Sequence, residues 1–248
     1  MAEIPFDIDT KIIDKLFVEN LQKKQRLGDR GLLRVFLSSP IVIISGSMDF
    51  ETFLEMSIVE RVYFKQLLEI ITQRQMKLLD TILSKYDYDI CFWFGGSEQC
   101  TPPMMSPYTF DEFVVPYDKQ IVSLLKGYDK IVGIHTHGKV KHALQGMIEC
   151  GYDATDPVEP PPQGDVTLQE ALDITKAKMT LMGNLQWSEL ERGNQNAIRE
   201  KTMEILKHKN ERIIMTASAG PMSFMEKNLI ENYFLLAKTY KEYYNLFD

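Results

Sequence analysis

Short β-rich runs alternate with longer segments of helical periodicity along most of the chain. Six runs rich in β-branched and aromatic residues predict strands at 32–45, 89–94, 130–135, 154–158, 179–183 and 212–217. Pro40 interrupts the first run, which is therefore predicted as one strand or as two short extended pieces. Strands that alternate with helices are typical of βαβ units, so the pattern predicts an α/β fold with a parallel sheet.

The segments between these runs carry apolar residues at helical spacing. They predict one broken or two consecutive helices over 52–85, and further helices at 109–125, 141–150, 168–178, 194–209 and 226–246. Thr109 and Glu112 have the spacing of a capping box, and Pro116 predicts a kink or a second start in that helix. Because the first thirty residues also look helical, we divide the chain into an N-terminal helical segment (1–30) and an α/β barrel domain (31–248).

The order of the elements limits the topology. Parallel strands need crossover connections, so the choice lies between an open doubly wound sheet and a (β/α)8 barrel of the TIM type. No glycine-rich phosphate-binding fingerprint follows the first strand, which disfavours the doubly wound sheet. A barrel is the better interpretation, although six strands are two fewer than a closed barrel requires.

Composition and charge exclude several classes of partner. A chain of 248 residues, 44% hydrophobic and 25% charged, can bury a single large core. Its net charge of −7, without a basic block, disfavours nucleic acids and anionic membranes, and its longest apolar run is far below the roughly 20 residues of a membrane helix. The acidic first residues do not resemble a signal peptide, and three cysteines without CxxC spacing do not form a disulfide framework. We therefore expect a cytoplasmic protein that binds small molecules or other proteins.

The most specific chemical signal follows the third predicted strand. His135 and His137 lie two residues apart, so on an extended chain both imidazoles point to the same side and can bind one metal ion. Glu159, at the end of the next strand, and Ser218, at the end of the last, can approach the same centre. The alternative for the histidines is one core residue and one solvated residue, and for Glu159 it is a solvated carboxylate on a proline-rich loop.

Other strand ends carry residues suited to a polar substrate. Asp156 competes with Glu159 as the functional acid. The remaining candidates are substrate contacts at or just after the ends of the second and fifth strands, with Glu98 also a candidate acid or base: Trp93, Gly95, Glu98, Gln99 and Asn184. Each also has a structural interpretation, since glycine pairs are common in turns, aromatic residues in cores and asparagines in caps.

Several of these segments together resemble one protein family. They are MSPYTFDEFVVPY at 105–117, HTHG at 135–138, GYD at 151–153, PVEP at 157–160, GD at 164–165 and LMGN at 181–184. Their order and spacing resemble the uroporphyrinogen decarboxylase superfamily. That superfamily has a (β/α)8 barrel and includes the decarboxylase of haem synthesis and metal-dependent methyltransferases that serve a corrinoid or thiol acceptor.

The resemblance is closer to the methyltransferase branch than to the true decarboxylase. The decarboxylase carries an arginine-rich N-terminal segment and a late Gly-His-Gly motif that this chain lacks. The methyltransferases bind metal through a His-x-Cys pair and a later cysteine, and His137 and Ser218 occupy those two cysteine positions. Glu159 falls at the spacing of a glutamate ligand in a related barrel. The resemblance therefore implies a metal site of His135, His137, Glu159 and Ser218, harder than a thiolate site.

The resemblance also implies that the first two barrel strands are missing. Either the chain is a fragment, or a partner covers the open edge.

The leading hypothesis is metal-dependent methyl transfer from a small methylated substrate to a corrinoid or thiol acceptor. Its expected cofactors are a divalent metal, with zinc as the first candidate, and a corrinoid (cobalamin) carried by a partner protein. Its expected partners are the substrate, that corrinoid protein and, in a homodimer, a second copy of the chain. In this hypothesis Asp156 transfers a proton. The alternatives are decarboxylation of a carboxylated substrate and a non-catalytic barrel that binds a corrinoid or tetrapyrrole.

Overall fold

Six parallel strands form one sheet in the computed structural model of the chain, which describes residues 10–86, 89–208, 211–220 and 226–246. The order of the strands in the sheet is their order in the chain, from β1 to β6. The strands are β1 (Arg34–Ser38), β2 (Cys91–Gly95), β3 (Ile131–His135), β4 (Ala154–Val158), β5 (Thr180–Leu185) and β6 (Ile213–Ala217). Within the described residues β1 and β6 are the two edges of the sheet. Two edges are expected where a chain supplies six of the eight strands of a TIM-type barrel.

Helices separate the strands and confirm the α/β class. They are α1 (Thr10–Leu27), α2 (Pro40–Ser45), α3 (Phe50–Val59), α4 (Arg61–Lys85), α5 (Tyr108–Phe113), α6 (Val115–Gly127), α7 (Ala143–Cys150), α8 (Leu168–Thr175), α9 (Trp187–Arg192), α10 (Gln195–Leu206) and α11 (Lys227–Tyr243). A short 3₁₀ helix, Ser97–Cys100, follows β2. The segment 52–85 thus forms two consecutive helices, and α9 is an element that the sequence pattern did not predict.

Two local predictions were wrong. Residues after Pro40 form helix α2 rather than a second extended piece, because proline at the first helical position has a helical φ and needs no hydrogen-bond partner for its nitrogen. Thr109 and Glu112 do not form a capping box. The Thr109 hydroxyl donates to the carbonyl of Ser106 at 2.5 Å, and the Glu112 carboxylate pairs with Arg61 and with Lys65 instead.

The core lies between the sheet and the helices. Phe53, Phe64 and Phe113 are fully buried and form a chain of edge-on ring contacts, with centroids 5.6 Å and 5.1 Å apart. Edge-to-face aromatic pairs of this kind add to the stabilisation from buried area. They fix α3, α4 and α5 on one flank of the sheet.

One carboxyl group is fully buried in this core. Asp118 in α6 accepts hydrogen bonds from the hydroxyls of Ser39 at 2.6 Å and Tyr152 at 2.7 Å. Burial raises the pKa of Asp118 to about 7, against the opposing effect of those two hydrogen bonds. The folded protein therefore binds a proton here that the unfolded chain releases at a lower pH.

This pKa shift predicts a pH dependence of stability that Asp118→Asn removes. Between the unfolded and folded pKa values the folded state holds more protons, so stability falls as pH rises. Asp118 should lower the free energy of unfolding by roughly 2–3 kcal/mol between about pH 5 and pH 8. Urea titrations should show Asp118→Asn gaining that amount on the wild type over the same interval. The control Asp80→Asn changes an exposed carboxylate that accepts the Tyr128 hydroxyl, and this variant should keep the pH dependence of the wild type because Asp118 is still present.

The structure leaves the domain division untested. The boundary at residue 30 stays a prediction, and residues 1–9 of the predicted helical segment lie outside the described part of the chain. Among the helices of that part, none combines the length and the apolar character needed to cross a membrane.

Candidate metal centre

The register between β2 and β3 brings their C-terminal ends together. Gly95 lies opposite His135 in the sheet. Gly96 follows in a left-handed conformation (φ 83°), which favours glycine, and its N–H donates to the carbonyl of His135 at 3.2 Å. The chain after β2 therefore turns toward β3 and carries Glu98 above the two histidines.

Glu98, His135 and His137 form a cluster with the spacing of a metal site. One potential ligand atom from each of the three residues lies within 4.8 Å of the other two. The imidazole rings stand nearly perpendicular with centroids 4.6 Å apart, and the Glu98 carboxylate accepts a hydrogen bond from the N–H of His137 at 3.1 Å. Within the described residues, this is the one group of three or more His, Cys, Asp or Glu residues with such spacing.

Each histidine is also held by a carboxylate behind it. Nδ1 of His135 lies 3.3 Å from Asp156, and Nδ1 of His137 lies 3.3 Å from Glu159. With Nδ1 beside a carboxylate, Nε2 is the nitrogen of each imidazole that stays available to a metal ion. Glu159 further accepts the N–H of Gly138 at 2.7 Å, so it fixes the loop that carries His137. Carboxylates in this position typically orient metal-binding imidazoles and set their tautomer.

The pKa shifts reflect this pairing. The hydrogen bond with Glu159 raises the pKa of His137 by more than burial lowers it. Burial raises the pKa of Asp156, but hydrogen bonds with His135 and Trp93 and the charge of Arg34 outweigh it, so the net pKa is lowered. Burial likewise raises the pKa of Glu159, and the bonds from His137 and Gly138 reverse the shift. Both acids are thus stabilised as carboxylates.

Asp156 connects the cluster to the inside of the barrel. Its Oδ1 accepts a hydrogen bond from the indole nitrogen of Trp93 at 2.6 Å, and its Oδ2 lies 3.5 Å from the guanidinium of Arg34. The indole lies against Gly133, where a Cβ would come within 2.4 Å of the ring. The buried Trp93 therefore requires a glycine beneath it, and its only polar hydrogen is used by Asp156.

The loop after β4 places Glu159 by a close backbone contact. The N–H of Gly164 donates to the carbonyl of Pro160 at 3.0 Å, and a Cβ on Gly164 would lie 1.8 Å from the carbonyl oxygen of Glu159. Only glycine allows this approach. The precise position of the Glu159 carboxylate thus depends on residue 164.

The remaining predicted site residues lie at the ends of β5 and β6. Ser218 is buried, donates to the side chain of Gln186 at 3.0 Å and accepts the N–H of Trp187 at 3.0 Å. Asn184 is 2% exposed and donates to the carbonyl of Val158 at 3.1 Å. Both therefore brace neighbouring strand ends in this structure.

Gln99 lies next to Glu98 in the 3₁₀ helix. Its Oε1 atom is buried without a hydrogen-bond partner among the described residues. The sequence predicts Glu98 and Gln99 as site residues, but it does not predict that Glu98 lies beside the histidines. Parallel pairing of consecutive strands could have indicated this, because it puts the loop after Gly95 next to His135.

Comparisons with known proteins agree with this architecture. The sequence model of the family described as uroporphyrinogen decarboxylase (URO-D) matches residues 18–242. Among solved structures 23 chains match, one of them a methyltransferase from Methanosarcina mazei, with a TM-score of 0.71 and 18% identity. The match covers 91% of this chain and 63% of that one, so the chain spans less than two thirds of its neighbour. No curated protein matches the sequence. The predicted superfamily resemblance is confirmed, and the structural likeness shows a shared fold.

Proposed function

Because the chain belongs to the uroporphyrinogen decarboxylase family, we propose that it is a metal-dependent methyltransferase acting on a small methylated substrate, with a corrinoid or thiol as acceptor. The observation that carries the proposal is the cluster of Glu98, His135 and His137. We assign these three side chains as the ligands of a divalent metal, for which zinc is the first candidate. Glu159 then orients the imidazole of His137 and does not bind the metal itself. The solved methyltransferase with the same fold supports the reaction class.

The balance of charge favours a cation at this point. Glu98, Asp156 and Glu159 bring three carboxyl groups together, and among the described side chains that pair with them only the Arg34 guanidinium is permanently cationic. A divalent ion would balance the remaining two charges. Two imidazoles and one carboxylate are ligands that zinc accepts, and three protein ligands leave a position open for a substrate or acceptor.

The residues around the cluster would prepare it for that reaction. A bound metal would supply Lewis-acid activation of the group that enters the open position. Asp156 and Glu159 hold the two imidazoles in place, and as carboxylates they accept rather than donate protons near neutral pH. We propose that Asp156 receives any proton released at His135, while Gln99, with its unpaired buried oxygen, contacts the substrate.

Two variants separate the proposed ligand from the carboxylate behind it. Glu98→Gln removes an anionic ligand and should weaken metal binding by roughly a hundredfold or more, whereas Glu159→Gln should cost about ten- to a hundredfold. Competition with a chromophoric chelator measures both. A larger loss in Glu159→Gln than in Glu98→Gln would make Glu159 the ligand, as the sequence spacing predicts.

The proposal as a whole is tested by metal analysis and a transfer assay. Protein purified without a histidine tag should contain about one equivalent of metal. The loaded protein should methylate cob(I)alamin or a thiol from at least one member of a panel of methylamines, methanol and methoxylated compounds. Absence of metal after incubation with zinc, cobalt and iron would refute the metal site and favour decarboxylation or a purely binding role. The same proposal includes a partner corrinoid protein, and adding cobalamin to the protein tests whether it accepts a corrinoid. It also includes a homodimer, which sedimentation tests.

A further inference from the structure

Arg34 is a charged residue on a strand, and its guanidinium group lies between two aromatic rings. Within the six strands that the structure describes it is the only lysine or arginine. Its guanidinium carbon lies 4.6 Å from the centre of the Phe36 ring and 4.7 Å from that of the Trp93 ring. Two aromatic contacts fix the orientation of the guanidinium without using its N–H donors.

Most of these donors remain available to a ligand. Among the described residues, the one polar partner of Arg34 is Asp156, at 3.5 Å, and the Arg34 side chain is 36% exposed. Asp156 is already bound through its other oxygen to Trp93 and to His135. A ligand that displaced the long contact with Arg34 would therefore leave the support of His135 intact.

We infer that Arg34 is the anchor for a carboxylate group on the substrate, and that the body of this substrate is small, flat and apolar. The arginine fork matches a carboxylate with two parallel hydrogen bonds. Phe36 lies beside the guanidinium and is 59% exposed, so its ring can contact the planar body of such a ligand. Benzoate is the simplest probe that combines the two features.

The location of the anchor gives it a role in orientation. Arg34 and His135 contact the same carboxylate, Asp156, so a substrate held at Arg34 extends toward the proposed metal centre. In this respect the inference rests on the proposed function, since the metal would act on the far end of the bound molecule. The carboxylate anchor itself requires no metal.

Calorimetric titration of the purified protein with benzoate tests the inference, with benzamide as the neutral isostere. Benzoate should bind and benzamide should bind roughly ten- to a hundredfold more weakly, because it lacks the charge that pairs with Arg34. Arg34→Gln should lose a similar factor for benzoate, and Arg34→Lys, which keeps the charge but not the fork, should fall between. Metal content in each variant should match the wild type, which shows that Asp156 still supports His135.

Three results would overturn it: no benzoate binding to the wild type, equal binding in Arg34→Gln, or displacement of benzoate by a much lower concentration of inorganic phosphate. The last would assign the anchor to a phosphoryl group instead. Repeating the titration after chelator treatment separates this inference from the proposed function. Arg34-dependent benzoate binding in a protein that never holds metal would refute the metal centre and leave the anchor standing.

Discussion

The double variant His135→Ala/His137→Ala should contain less than about a tenth of an equivalent of metal, where the wild type contains about one. Both imidazoles belong to the same three-residue cluster, so Glu98 would remain as the last of the three assigned ligands. Without the two imidazoles, the carboxylates left at this point make a much weaker site for zinc. Methyl transfer should fall by a factor of roughly a thousand or more, since the Lewis acid is lost with its ligands. Elemental analysis and the transfer assay on the same preparations measure the two effects.

His142→Ala is the matched control for this experiment. His142 pairs with Asp111 at 2.7 Å near the surface, outside the cluster. This variant should keep its metal and its activity. Equal metal in the wild type and the double variant would show that the ion binds elsewhere, and the assignment of the centre would fail.

Gly164→Ala should lower the free energy of unfolding by about 3 kcal/mol, because the new methyl group would meet backbone atoms rather than a flexible side chain. The nearest atom is the carbonyl oxygen of Glu159, at 1.8 Å from an ideal Cβ. Relief requires the loop to move, and Glu159 moves with it. For a chain of this size the melting temperature should fall by about 2–4 °C per kcal/mol. Metal affinity should fall as well, since His137 loses its partner.

Gly127→Ala provides the comparison for Gly164→Ala. Gly127 ends α6, and no atom lies within 4 Å of the Cβ that alanine would add. Alanine there should leave stability unchanged or raise it by up to about 1 kcal/mol. Equal melting temperatures in the two variants, measured by circular dichroism, would refute the idea that residue 164 positions Glu159.

The strands could be located from the sequence because local chemistry determines them. The runs around Phe92, Val132 and Leu181 are apolar enough to be buried on both faces of a parallel sheet, and glycine or polar residues bound them. The start of α2 could not be located in this way, since Pro40 is compatible with both a strand edge and a first helical turn. There the surrounding packing decides, with Ile41 and Ile44 buried.

The candidate site was predicted only in part, for a physical reason. The spacing of His135 and His137 gives their common side directly, because alternation along a strand is local. The proximity of Glu98 depends on the pairing of β2 with β3 and on the turn at Gly96, which are contacts between distant parts of the chain. The connection from Arg34 through Asp156 to His135 spans three strands, and no local pattern reveals it.

The contact of Trp93 with Gly133 constrains how this protein can vary through evolution. A side chain at residue 133 cannot coexist with the indole, since even a methyl group would overlap the ring. A relative with a larger residue at 133 must carry a smaller one at 93, and it then also loses the indole donor to Asp156. The two positions are therefore expected to change together. A related protein with a different residue at either position should pack the interior of its barrel differently.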